Sequence, residues 1–237
     1  MMERRSSKIL DNEFLQIKPQ FSNKSIKAFF SLRSFSVNGE AGRSNLAKLV
    51  GFKSQNLITP IQIHSTNVNF LLTAGLVQSC DGVFTNKKEL TCSIQVADCM
   101  PIYFAHLSEN VFGLVHAGWR GLVDGILEKS ATLLSKNGYT LSDFEIVIGP
   151  SIQKCCFVVR DDIIRRFRSE FTFRTNQNGV YKVDLQKYAF SKMADMGFEE
   201  SNIKLNNDCT FCLQEKFHSF RRDGNESGRM IGLIGSS

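Results

Sequence analysis

An apolar run, Val111-Phe112-Gly113-Leu114-Val115, leads directly into His116-Ala117-Gly118-Trp119-Arg120-Gly121 and then into an amphipathic segment over residues 122–136. A buried strand that hands over to a helix through two glycines restricts the chain to architectures in which helices cover a sheet. Ligands and catalytic groups gather at such strand-to-helix junctions. This junction holds the single Trp of the chain and one of its four His.

The rest of the chain follows the same alternation. Residues 28–33 read as an early strand, 39–42 as a loop and 44–50 as a short helix. Strands are predicted over 57–64 and 67–72 around a turn at Ser65-Thr66, and Cys80-Asp81-Gly82 is a turn signal. Val83-Phe84 begins a short strand and 91–96 is another. Residues 101–106 and 111–116 pair as a hairpin across Ser108-Glu109-Asn110. The best helix runs over 122–136 and stops at Gly138. A strand at 144–148 ends at Gly149-Pro150. Helices follow at 161–167 and 185–196, the second with Asp184 as its N-cap and Gly197 as its stop. Residues 230–234 form the last strand. There is no repeat, low-complexity segment or linker. The pattern predicts one mixed α/β (α+β) domain over 21–237, preceded by a frayed N-terminal segment, 1–20.

Of the 237 residues 42% are hydrophobic, enough for a sizeable core, and twenty are Phe. The net charge of +6 comes from basic residues scattered along the chain, densest at Arg4-Arg5, at Arg165, Arg166 and Arg168, and at Arg221-Arg222. A nucleic-acid binder concentrates its charge on one element. The charge therefore reads as a solvated basic surface or a site for an anionic small substrate, with no nucleic acid and no membrane as partner. No apolar segment reaches 18 residues and no signal-peptide core follows Met1. The expected location is cytoplasmic, with the seven Cys reduced. There, Cys near His points to metal or catalysis before disulfides.

His64, Cys99 and His116 each end an apolar run. Two His and a Cys are a zinc set that leaves a fourth position for water, whose pKa zinc lowers to about 7. Spacing alone keeps two other readings open. Cys99 could be a nucleophile with His116 as its base and Gln62 or Asp98 assisting, in a metal-free cysteine hydrolase. The three could also be unrelated residues at strand ends. His106, beside the hairpin loop, reads as a surface His. Cys209-x-x-Cys212 has the form of a knuckle, but its only close companion pair, Cys155-Cys156, is adjacent in sequence and a poor chelate, so these four thiols read as structural or incidental. Arg33, Arg120, Arg221 and Arg222 are candidate anion binders. Arg120 leads them because it shares the junction with His116. Gly224 and Gly228 mark a tight loop that presents Arg to a ligand.

Taken in order, Gln62-Ile63-His64-Ser65, Asp81-Gly82, Ala97-Asp98-Cys99-Met100-Pro101-Ile102 and the His116–Gly121 junction form a pattern. It continues through Ile148-Gly149-Pro150-Ser151-Ile152 with Cys155-Cys156-Phe157-Val158-Val159, then Phe217-His218-Ser219-Phe220-Arg221-Arg222-Asp223-Gly224 with Ser227-Gly228-Arg229. This succession resembles the YfiH/YlmD family, long labelled multicopper polyphenol oxidase or laccase and related to the mammalian laccase-domain-containing protein. The resemblance covers roughly residue 28 to the C-terminus.

It implies a single α/β domain, with mixed sheets packed as a sandwich and helices outside. It also implies a zinc held by His64, Cys99 and His116, with copper as the alternative ion, and purine nucleosides and phosphate as partners. The implied activities are phosphorolysis of adenosine, inosine, guanosine and methylthioadenosine, and deamination of adenosine. In deamination Asp98 would shuttle protons. In phosphorolysis Arg120, with Arg33 or Arg222, would hold phosphate, and Gln62 would also bind substrate. The family carries Thr-Thr-Arg and a Gly-Gly loop near its start. Here Ser31-Leu32-Arg33-Ser34-Phe35-Ser36 keeps the Arg without the glycines. A copper-dependent polyphenol oxidase is a further, less favoured alternative, because four His cannot build a trinuclear copper cluster beside a His2Cys site whose only axial candidate is Met100.

Overall fold

A computed structural model describes residues 14–16, 21–35 and 39–236. Its first strands are β1 (Phe14–Gln16), β2 (Ile26–Ser31), β3 (Leu57–Pro60), β4 (Val68–Phe70) and β5 (Gly75–Val77). Next come β6 (Gly82–Thr85), β7 (Thr91–Val96), β8 (Met100–His106), β9 (Phe112–Ala117) and β10 (Phe144–Ile148). The last are β11 (Val158–Arg160), β12 (Thr172–Arg174), β13 (Val180–Val183), β14 (Ile203–Leu205) and β15 (Met230–Ser236). The helices are α1 (Gly39–Leu49), α2 (Trp119–Asp124), α3 (Ile126–Lys136), α4 (Asp161–Ile164), α5 (Leu185–Asp195) and α6 (Phe220–Asp223).

Two six-stranded sheets, ordered β1-β2-β15-β7-β3-β5 and β14-β10-β8-β9-β6-β4, both mix parallel and antiparallel neighbours. A three-stranded sheet, β11-β13-β12, stands apart. Phe30, Ile94 and Ile234 of the first large sheet share one core with Tyr103, Phe112 and Leu114 of the second. The second sheet's other face packs on Leu122, Leu127 and Met193 of α2, α3 and α5. The first sheet's outer face packs on Leu46 and Ala47 of α1. The architecture is thus helix, sheet, sheet, helix. A strand covered on both faces must be largely apolar, as the fully buried β8 is up to His106 at its end. Each large side chain buried this way contributes on the order of 1.5–3 kcal/mol. Between the sheets the Tyr103 hydroxyl donates to the Phe29 carbonyl at 3.0 Å, and Gly232 leaves it room.

The predicted hairpin is present as β8 and β9, with Ile102 opposite Val115. Other expectations change. The loop read at 39–42 is the first turn of α1, whose buried face is Gly42, Arg43, Leu46 and Ala47. The strand read over 57–64 stops at Pro60, and the long helix read over 122–136 breaks at Gly125, whose φ of 104° lies in the left-handed region. The helix read over 161–167 shortens to α4. Within the segment read as frayed, Phe14–Gln16 pairs with β2, and residues 1–13 and 17–20 lie outside the described residues. Asp184 caps α5, accepting from the Lys187 N–H.

Candidate metal centre and its cavity

The loop after β3 is organised by one carboxylate. Asp81, fully buried, accepts from the backbone N–H groups of Ile63 (3.3 Å), His64 (3.0 Å) and Ser65 (2.7 Å) and from the Ser65 hydroxyl (2.7 Å). That collar explains why the strand ends early: these amides serve a side chain instead of a ladder. It also holds His64 at a left-handed φ of 59°. A second strained residue, Asp98 at φ 79°, turns the chain from β7 into β8 and presents Cys99. His116 is supplied by β9.

The ligand atoms of His64, Cys99 and His116 all lie within 4.8 Å of one another. Cys99 Sγ is 3.9 Å from His64 Nε2, and the two imidazoles meet edge to face with centroids 4.8 Å apart. His116 Nδ1 lies 2.8 Å from Asp81 Oδ1. Burial pushes the Asp81 carboxyl up, but the hydrogen bonds from His116 and Ser65 outweigh it and bring its pKa to about 2. Burial likewise raises the Cys99 thiol, and the charge and hydrogen bonds of the two imidazoles overcome this, lowering it to about 6. His116 is pulled down by burial and pushed up more strongly by Cys99 and Asp81, to about 9. The donor set suits a soft or borderline divalent cation: a thiolate, two imidazoles, and a carboxylate that fixes the ring opposite the ligating nitrogen.

The cluster opens onto a cavity of about 810 Å³, whose lining includes Arg43, Gln62, Asp98, Trp119, Arg120, Ile152, Phe157, Phe220, Arg221 and Arg229. Arg120 is exposed and its guanidinium sits 4.6 Å from the Trp119 ring centroid. Arg221 lies 5.3 Å over the Phe157 ring, with Nη1 donating to the Val158 carbonyl. Arg43 is buried and reaches the Pro60 carbonyl, Ser93 and Gln62, and burial lowers its pKa to about 10.

Other sequence candidates have different partners. The Asp98 carboxylate lies at the cavity edge but is engaged by Thr210 Oγ1 (2.6 Å), Ser219 Oγ (3.0 Å) and the Arg221 N–H (2.7 Å). Gln62 touches the cavity while its amide bridges Arg43 and the Gln95 backbone. Arg33 is outside the cavity lining, 3.6 Å from Asp223. Arg222, also outside it, clamps the carbonyls of Thr210, Phe211 and Phe217. His106 is buried, not on the surface, because its Nδ1 accepts from the Ser108 and Glu109 amides and closes the hairpin turn. Asp81 and Arg43 were not singled out for the site by sequence. Asp81 hides in an ordinary turn signal, and only its place at the head of β6, the strand paired directly with β9 beside His116, reveals its role.

An α/β sandwich with a His2Cys cluster able to hold a metal ion, on the wall of a cavity large enough for a small ligand, is the class these features define. The chain belongs to the multi-copper polyphenol oxidoreductase laccase family, whose model matches residues 29–237. It is 30% identical to the purine nucleoside phosphorylase YlmD of Geobacillus stearothermophilus over 210 residues, covering 81% of this chain and 77% of that one. It is 34% identical over 186 residues to a purine nucleoside phosphorylase of Haemophilus influenzae, with 74% of each chain covered. The fold matches the Bacillus licheniformis hypothetical protein YfiH with a TM-score of 0.86 at 23% identity, over 95% of this chain and 97% of that one. Despite the family's copper label, His106 and His218 stand outside the three-residue ligand group among the described residues. No described helix is long and apolar enough to cross a membrane.

Proposed function

We propose that this chain is a zinc-dependent purine nucleoside enzyme, phosphorolysing adenosine, inosine, guanosine and methylthioadenosine and deaminating adenosine. The observation that carries the reading is the convergence of His64, Cys99 and His116 on the wall of a cavity that also presents Arg120 and Arg221. The phosphorylase names of the relatives support it. When bound, a zinc ion held by His64, Cys99 and His116 supplies Lewis acidity next to the substrate. Asp81 keeps the His116 proton on Nδ1 and so leaves Nε2 free to ligate.

In phosphorolysis a phosphate oxygen bonds to the anomeric carbon as the bond to the purine nitrogen breaks. Arg120 holds the phosphate with Arg221, taking the part that sequence gave to Arg33 or Arg222, and Trp119 and Phe157 face the purine. In deamination a water oxygen replaces the purine amino group, which leaves as ammonia. Asp98, with its oxygens engaged, orients the Cys99 turn and the base of α6 rather than shuttling protons.

The test is product analysis on adenosine, inosine and methylthioadenosine, with and without phosphate, using metal-defined protein. Ribose 1-phosphate, or 5-methylthioribose 1-phosphate from methylthioadenosine, should form only with phosphate, and inosine should form from adenosine without it. His64→Ala should abolish both along with about one zinc per chain. Full zinc content and full turnover in that variant would overturn the assignment. The Cys99, His116 and Asp81 alignment favours a second reading, a thiol nucleophile with an oriented base. A metal-free enzyme that stays active until alkylated would select it.

A further inference from the structure

Far from this ligand set in sequence, four cysteines meet on two loops. Cys155 and Cys156 lie in a turn where the Cys156 and Phe157 amides both donate to the Gln153 carbonyl. Cys209 and Cys212 lie in a second turn, closed by the Leu213 amide on the Cys209 carbonyl. The turns are joined where Thr210 donates to the Ser151 carbonyl, and Ser151 and Cys209 form a parallel bridge. All four sulfurs lie within 4.8 Å of one another. Cys212 Sγ is 3.3 Å from that of Cys156 and 3.7 Å from that of Cys155. A disulfide needs about 2.0 Å. The edge of a tetrahedron with zinc–sulfur bonds of about 2.3 Å is about 3.8 Å. The Gln153 N–H also approaches Cys209 Sγ at 3.5 Å, as backbone amides do at ligating thiolates. The turn thus overcomes the poor chelation expected of adjacent cysteines.

We propose that Cys155, Cys156, Cys209 and Cys212 form a second metal site, a closed tetrathiolate that binds zinc structurally and is separate from the His64, Cys99 and His116 centre. Four protein ligands leave no open position, so this ion staples and does no chemistry. What it staples is the cavity wall. Thr210, between two of the cysteines, holds Asp98, the Ile152 amide donates to the Asp98 carbonyl at 2.9 Å, and Ile152 and Phe157 line the cavity.

The experiment is metal analysis of the full chain with zinc or cobalt(II) as probe. Wild type should hold two zinc ions per chain, and its cobalt form should show the visible bands and sulfur-to-cobalt charge transfer of a tetrahedral tetrathiolate. Cys155→Ser, at an exposed position, and Cys209→Ser should each lose one ion and that spectrum. His116→Ala should lose the other ion and keep it. Wild-type protein with a single zinc that disappears in His116→Ala would overturn the proposal. So would a Cys156–Cys212 disulfide found by mass spectrometry in protein kept anaerobic with a reductant. The cobalt spectrum of wild type decides the matter even where a variant does not fold.

Discussion

Asp81 joins two tasks in one side chain. Its oxygens hold the 63–65 amides and orient His116, so the His64, Cys99 and His116 cluster and the loop carrying His64 share a support. Asp81→Asn puts an amide where an acceptor is required and is expected to lower zinc affinity about 10–100-fold, measured by competition with a chromophoric chelator. The same residue predicts an acid limb. Its pKa falls from 3.8 to about 2 on folding, so its stabilisation is complete above the unfolded value and is lost as pH drops through about 2. Chemical denaturation of metal-free protein should therefore show wild type losing on the order of 2 kcal/mol over that interval, a loss that is absent from Asp81→Asn. Equal slopes for the two proteins would remove Asp81 from this role.

At the level of elements, the junction between β9 and α2 is tight for a reason. A Cβ at Gly118 would stand 3.0 Å from both Cys99 Sγ and the His64 ring. The Gly118 backbone, φ −71° and ψ 163°, suits any residue, so Gly118→Ala is expected to fold normally. It should cost about tenfold or more in metal affinity by pushing the ligands apart, with the melting temperature of the metal-free protein unchanged. A variant with wild-type affinity would show that the ligands have slack. This junction was legible in sequence because a strand period gives way to a helical one across it, and so were β7, β8, β10 and α5. Less was legible where side chains replace local pattern. Gly39 and Gly42 look like a loop, yet α1 forms because its other residues bury against the first sheet. His64 looked like a strand end, since nothing local announces a carboxylate seventeen residues ahead that captures its amide. The proximity of Cys155 and Cys212 is purely tertiary.

The whole molecule depends on how closely its two large sheets approach. Gly232 on β15 faces Tyr103 on β8, and a Cβ there would stand 2.8 Å from the Tyr103 hydroxyl. Gly232→Ala must break the bond from Tyr103 to Phe29 or separate the sheets, at about 1–3 kcal/mol. For a chain of this size that corresponds to a melting temperature lower by roughly 2–12 °C. Zinc content should not change, because the ligands leave the second sheet and the β3 loop at the sandwich edge. Loss of metal together with stability would mean that the site and the core are one cooperative unit.

The left-handed backbone at His64 bears on how such a chain would decay in evolution. Asparagine and glycine take up that conformation more readily, so only the imidazole argues for histidine there. A lineage released from metal binding gains foldability by replacing it. Asp81 still secures three amides and would be retained long afterwards. Position 64 should therefore be the first to change, and a relative with Asn or Gly there and Asp intact at 81 would be recognisable from sequence as a recent pseudoenzyme.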